Sequence, residues 1–296
     1  MVTAAAGVST PVVELRGARM AYGQRTLWSG LDLRVEAGEF LAVLGPNGTG
    51  KTRLLRALLG QEHLSAGSAR ILGAPARTGN PAIGYIPQQR AGDPGPAVRA
   101  RDLVALGLTG HRWGPPLASR AERRQVDRVL AAVGAQAFAK APVAELSGGE
   151  QQRVRVAQAV VGEPRLLLCD EPLNALDLAQ QRIIAGLINR ERSLRDAAVM
   201  FVTHDVNPVL PFVDRVLYLA RGAFRIGTPD QVLRSEVLSE LYGTEVRVLR
   251  LDDRVIVVGG DGEEHVHAHH PAVPEDEHTE LPDAPEAGQA GAEARR

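Results

Sequence analysis

Eight residues, "GPNGTGKT" from Gly45 to Thr52, set three glycines among small and polar types ahead of a lysine and a hydroxyl side chain. Gly45, Gly48 and Gly50 leave backbone N–H groups free to crowd around an anion, and Pro46, Asn47 and Thr49 complete the loop. Lys51 can reach terminal phosphates and the Thr52 hydroxyl can bind Mg²⁺, so the spacing G-x-x-x-x-G-K-[ST] is that of a loop that cradles nucleotide phosphates. The lysine itself is informative. Of 34 cationic side chains only two, Lys51 and Lys140, are lysine, and a compact ammonium fits inside a phosphate-wrapping loop where a planar guanidinium would not. Taken alone, the stretch is also compatible with a plain glycine turn before a helix.

A second group of residues supplies the other half of such a site. In "RLLLCDEP" an apolar run ends at Asp170 and Glu171, where open α/β sheets place their ligands. Asp170 can hold Mg²⁺ through water while Glu171 polarises an attacking water, and phosphoryl transfer needs mainly such positioning and charge. A third stretch, "LSGGEQ", puts Ser147, Gly148, Gly149 and Glu150 at the start of a helix, a second N-terminus suited to an anion.

These residues must be carried by elements with matching periodicity. "LDLRVE" from Leu31 alternates as a half-buried strand, "EFLAVL" is a buried one, and "KTRLLRALLG" is a helix stopping at Gly60. "SARIL" and "AIGYI" are further strands. Residues 98–141 read as a helical insertion, with helices at "VRARDLVALGL" and "ASRAERRQVDRVLAAVGAQA". Then follow helix "EQQRVRVAQAVV", strand "RLLLC", helix "LAQQRIIAGLINRERSL" and strand "AAVMFV". This alternation predicts a parallel α/β sheet interrupted by a helical subdomain. Near the end, "PDQVLRSEVLSELYG" reads as one helix and "VRVLRLDDRVIVV" as a hairpin turning at Asp252 and Asp253.

With these motifs in this order, the sequence resembles the ATP-binding subunits of ABC transporters over roughly residues 12–242. That resemblance implies an α/β P-loop NTPase of the ABC ATPase type: a parallel core sheet, an antiparallel β subdomain and a helical subdomain at about 90–162, in a domain spanning 1–245. It also carries roles onto matching positions. Tyr22 resembles the aromatic residue that stacks on adenine, and Gln88 the glutamine that approaches Mg²⁺ and senses the membrane partner, with Gln89 beside it as the alternative register. His204 resembles the switch histidine at the γ-phosphate, and Asn174 to Asp177 the D-loop. Arg53 stands where a small hydroxyl residue is common, and "PLNALD" replaces the frequent "PTSALD". Cys169 reads as a small buried hydrophobe.

The resemblance further implies ATP and Mg²⁺ as ligands and a homodimer in which the Ser147–Glu150 signature of one subunit closes over nucleotide held by the other. Integral membrane permease subunits are the expected partners, with an extracytoplasmic substrate-binding protein engaged indirectly. Nucleic acid is not expected, because ABC ATPases of translation or DNA repair usually carry two cassettes or a long coiled coil. The short link "GAPARTGNPA", the "GLTGHRWG" segment and "ELYGTEVRVL" look like the zinc and manganese importer branch; an iron chelate or an exported compound is the alternative cargo. The start "MVTAAAGVST" lacks the features of a secretory signal and no apolar run is long enough for a membrane helix. One cysteine suits a reducing compartment, so a cytoplasmic protein peripheral on the inner face of the membrane is expected.

Charge separates the last stretch from the rest. Residues 259–296, beyond a hairpin at 246–258, hold ten acidic and two basic side chains, leaving 25 acidic and 32 basic before them. Four prolines and no aromatic residue predict a largely disordered tail. Within it His265, His267, His269 and His270 can act as loose Zn²⁺ ligands when neutral, or be no more than part of a solvated low-complexity segment. Removing residues 259–296 should leave ATP turnover intact and weaken Zn²⁺ binding in a calorimetric titration, and unchanged binding would return the histidines to the solvated reading.

Overall fold

The computed structural model describes residues 10–88, 96–110, 119–174, 176–252 and 254–259. Its frame is a run of strands whose residues are buried without exception: β3 in the fold's order, Phe40–Leu44, then Leu166–Asp170 and Ala198–Val202. Ahead of β3 lie β1 (Val13–Tyr22) and β2 (Arg25–Val35). After it come α1 (Lys51–Leu58), β4 (Ala66–Ile71), β5 (Ala74–Pro75) and β6 (Ile83–Ile86). The helical insertion holds α2 (Ala100–Thr109), α3 (Arg120–Ala132) and α4 (Gly148–Val160). The chain then runs through β7 (Leu166–Asp170), α5 (Leu178–Arg195), β8 (Ala198–Val202), β9 (Arg215–Ala220) and β10 (Ala223–Gly227). It closes with α6 (Pro229–Val232), α7 (Ser235–Tyr242), β11 (Val246–Leu251) and β12 (Arg254–Gly259).

The strands form a six-stranded sheet in the order β10-β9-β3-β8-β7-β6, a four-stranded sheet β2-β1-β4-β5, and a β11-β12 ribbon. The first is parallel from β9 to β6 with β10 antiparallel at its edge, and the second is antiparallel throughout. Alternation along the strands divides the interior into two cores. Phe40, Ala42, Leu167, Cys169, Val199 and Phe201 face the helical side, while Leu41, Val43, Leu166, Leu168, Met200 and Val202 face α1 and the antiparallel sheet. A strand buried on both faces must be apolar at every position, which is why these runs are continuous in sequence. The parallel sheet, the antiparallel β subdomain and the helical subdomain match the fold implied by the sequence.

Some boundaries differ from expectation. The helix expected through Ala137 stops at Ala132, because Gly134 adopts φ 69° and the chain folds back with Ala135 N donating to Leu130 O at 2.7 Å. The single helix expected at 229–243 is two, α6 and α7, divided at Leu233 and an extended Arg234. The break buries Leu233 and frees the Ser235 hydroxyl to accept from Val248 N at 2.9 Å, so it docks the ribbon. The hairpin turns through Asp252 at φ 50°, and Asp253 lies outside the described residues.

A two-stranded ribbon is marginal alone, and here side chains fasten it. Ser239 Oγ donates to Val246 O at 3.1 Å and accepts from Val246 N at 2.9 Å. Asn207 does the same for β12, donating to Val255 O at 3.0 Å and accepting from Val255 N at 2.8 Å.

Cys169 is fully buried in β7, and burial pushes its thiol pKa well up from the ordinary value, with the charge of Asp170 adding to the shift. The thiolate is the reactive form. Cys169 should therefore resist a disulfide reagent at pH 8 in native protein and react in step with unfolding when urea is added, as absorbance of the released thiol reports.

Candidate functional site

The sheet register gathers the chemistry. β3, β8, β7 and β6 are successive neighbours, and each ends in a functional residue or loop at its carboxyl edge. β3 runs into Gly45, β7 into Asp170 and Glu171, β8 into Thr203 and His204, and β6 into Gln88. Two backbone bonds continue the ladder past the strand ends: Thr203 N to Val43 O at 3.2 Å and Glu171 N to Val202 O at 3.0 Å.

The loop from Gly45 to Gly50 has the conformation its glycines allow. Gly45 has φ 136°, Gly48 φ 77° and Gly50 φ 94°. A Cβ at Gly45 would lie 2.0 Å from Leu219 O, so no other residue fits beneath the loop. Thr49 Oγ1 donates to Pro46 O at 2.9 Å, and Lys51 Nζ donates to Gly45 O at 2.6 Å and Pro46 O at 2.9 Å, so the ammonium is held across the loop's open side. Lys51 is buried, and desolvation lowers its pKa while Glu171 and Asp170 pull it back up. Asn47 follows Pro46 at the exposed tip.

Below the lysine, Thr52 Oγ1 donates to Asp170 Oδ1 at 3.0 Å. Burial raises the Asp170 pKa, against the lowering effect of the Thr52 bond. Two adjacent hard oxygen donors, one of them anionic, suit Mg²⁺. Tyr85, which sequence reasoning passes over, points its hydroxyl at Asp170 Oδ2 from 3.4 Å. Burial, and then the Asp170 charge, push the Tyr85 pKa up to about 12, so the phenol is a neutral donor. Its signal lay in "GYIP": a tyrosine in a short apolar strand needs a polar partner for its hydroxyl.

Glu171 is the centre of the second cluster. Its backbone is left-handed, φ 47°, a conformation that costs a non-glycine residue and turns the chain sharply off β7. Gln88 Nε2 donates to Glu171 Oε2 at 2.9 Å, and Gln89, the alternative register, lies outside the described residues. Asn174 Nδ2 also donates to Oε2, and Asn174 N donates to Glu171 O at 3.2 Å. His204 Nδ1 stands 4.0 Å from the same oxygen. The asparagine that departs from the frequent "PTSALD" pattern therefore adds a donor to Glu171, a consequence that composition alone does not show.

The remaining predicted residues sit elsewhere. Ser147 caps α4 in a reciprocal box, accepting from Glu150 N while Glu150 Oε2 accepts from Ser147 N at 2.9 Å and from Ser147 Oγ at 2.7 Å. Those bonds to Ser147 lower the Glu150 pKa. Gly148 and Gly149 lie beside Leu176 and Gln180, at the start of α5, rather than in the Lys51–Glu171 cluster. Asp177 Oδ1 accepts from Gln180 N at 2.8 Å and caps α5. Tyr22 ends β1 with its ring exposed. Among the described residues no group of three or more His, Cys, Asp and Glu side chains could hold a metal ion. His265, His267, His269 and His270 lie outside the described residues.

Comparison with known proteins places this arrangement. The family model described as "ABC transporter" matches residues 28–174. The chain is 31% identical over 248 residues to the manganese transport system ATP-binding protein of Halalkalibacterium halodurans, covering 84% of this chain and 98% of that one. It is 30% identical over 234 residues to the zinc transport system ATP-binding protein of Treponema pallidum, covering 79% and 88%. With an aliphatic sulfonates import ATP-binding protein of Nocardia farcinica it shares 39% identity over 220 residues, covering 73% and 81%. In fold it is similar to a crystal structure of a nucleotide-free ATP-binding cassette from an ABC transporter, at TM-score 0.67 and 16% identity, covering 77% of this chain and 95% of that one.

Asn174→Ala removes one of the donors that fix Glu171 and leaves the phosphate loop untouched. Steady-state ATPase measurements should show kcat falling by about five- to twentyfold with little change in KM, the outcome expected of a carboxylate that acts in the chemical step rather than in binding.

Proposed function

Since the chain belongs to the ATP-hydrolysing subunits of ABC transporters, we propose that it powers import of a divalent metal ion, zinc or manganese, through a separate integral membrane permease. The observation that carries the catalytic part is the convergence of Lys51, Thr52, Asp170, Glu171, Gln88 and His204 at the carboxyl ends of neighbouring parallel strands. Such edges are where open α/β sheets bind ligands.

Each residue has a task that its surroundings support. The N–H groups of Gly45–Thr52 and the Lys51 ammonium bind the phosphates of ATP. Thr52 and Asp170 would hold Mg²⁺, which when bound neutralises phosphate charge. Glu171, oriented by Gln88 and Asn174, positions the attacking water and accepts its proton, and His204 contacts the γ-phosphate. The Ser147–Glu150 helix start rests against α5 rather than in this cluster. That separation supports a homodimer with two ATP, each bound between the loop of one subunit and the signature of its partner.

Import through a permease is supported by the names of the relatives and by the absence, among the described residues, of any helix long and apolar enough to cross a membrane. The subunit would act on the cytoplasmic face, with a substrate-binding protein delivering cargo to the permease from outside. Relatives named for manganese and zinc transport support the metal reading over nearly the whole of their length. The higher identity to a sulfonate importer, over a shorter alignment, favours an organic anion as the second reading.

Zinc and manganese accumulation in cells lacking the gene tests cargo and mechanism together. Uptake of one metal should be lost, return with wild-type protein, and stay lost with Glu171→Gln. Purified Glu171→Gln should bind ATP, dimerise, and hydrolyse at least about a hundredfold more slowly. Unchanged metal levels would move the cargo to the anion class, and near-normal turnover would assign the water to another residue.

A further inference from the structure

Arg53 follows the phosphate loop directly, on the first turn of α1. Its guanidinium carbon lies 4.3 Å from the centroid of the Tyr22 ring. The same guanidinium is paired with Glu62, in the segment after α1, through Nη1 and Oε1. Glu62 is itself placed by its N–H donating to Arg56 O at 3.3 Å. Beside the ring the strand is tied to this segment again, with Ala21 N donating to Ser65 Oγ at 3.1 Å and Ser65 N donating to Arg19 O at 2.8 Å.

Tyr22 needs such support, because it is 66% exposed and ends its strand. An exposed aromatic side chain loses rotamer freedom when a ligand stacks on it, and that loss weakens binding unless the ring is held beforehand. A guanidinium lying over a phenol ring is attracted by the ring's negative face. The Arg53 side chain is only 29% exposed and that of Glu62 23%, so the pair is a fixed support more than a solvated contact.

We propose that Arg53 is a positioning residue for the nucleobase: it covers one face of Tyr22 and so presents the opposite face, in one orientation, to adenine. This rests on Tyr22 being the adenine platform. The stack is then guanidinium, phenol and purine, with Glu62 fixing the outermost layer. Arg53 thereby links base recognition to the helix that carries Lys51 and Thr52, since all three side chains leave the same turn.

Equilibrium binding to the full chain in the Glu171→Gln background tests this with two probes, ATP and inorganic tripolyphosphate, both with Mg²⁺. Tripolyphosphate lacks the base but reads the phosphate loop, and its binding also certifies that each variant is folded. Arg53→Ala should weaken ATP about fivefold and leave tripolyphosphate unchanged. Glu62→Gln, which loosens the guanidinium without touching ring or phosphate, should weaken ATP in the same direction by less. Tyr22→Ala should weaken ATP more than either, and adding Arg53→Ala to it should cost nothing further. Equal loss of both ligands in Arg53→Ala would mean that the charge acts on phosphate and would overturn the proposal. So would additivity with Tyr22→Ala. If Tyr22→Ala weakens ATP while Arg53→Ala does not, the platform stands and the support role fails. If Tyr22→Ala leaves ATP unchanged, the platform reading itself fails.

Discussion

Two hydrogen bonds beyond the strand ends, Thr203 N to Val43 O and Glu171 N to Val202 O, hold three functional segments in one register. Strand neighbours lie about 4.8 Å apart, so a phosphate loop, an acidic pair and a histidine on adjacent strands fall within reach of one small ligand. A slip by one residue would exchange the two faces of a strand. For β7 it would move Leu167 and Cys169 out of one core and Leu166 and Leu168 out of the other, while carrying Glu171 away from Gln88 and His204. Packing on both faces therefore protects the geometry of residues that contribute nothing to packing.

Charge is handled differently at the two ends of this site. Lys51 and Asp170 are desolvated, and burial works against the charged form of each. Each gains partners that offset it, the charges of Glu171 and Asp170 for the lysine and the Thr52 hydroxyl for the aspartate. Glu171 has instead two amide donors on one carboxylate oxygen and a left-handed backbone. A neutral amide orients a carboxylate without adding a charge, and Glu171 in turn pulls the pKa of Lys51 back up through its own charge.

The sequence made the buried strands and the phosphate loop legible because there one physical demand governs every position: burial on both faces for β3, β7 and β8, and backbone access for Gly45–Gly50. It left β1 obscure. Register shifts between Leu15 and Ala18 and again near Met20 break the alternation by which a half-buried strand is recognised. The long helix expected at 229–243 fails for a tertiary reason, since the Ser235 bond to Val248 depends on a ribbon further along the chain. Tyr85 is passed over as a site residue, and Asn174 is legible as part of the D-loop but not as a donor to Glu171, because their importance lies in what they touch. The sequence shows a tyrosine and an asparagine, while their partners, Asp170 and Glu171, are set by the fold.

The double bond between Asn207 and Val255 has a mechanical consequence. Asn207 stands three residues after His204, and its own N–H is held by Asp205 Oδ1, while Thr203 Oγ1 brackets Asp205 from the other side. A taut chain of short bonds thus connects β12 to the end of β8. The last described strand is in series with the loop that carries the histidine rather than hung beside it, and because Val246 and Val255 also pack into the helical-side core, a pull on the ribbon loads that loop and that core together.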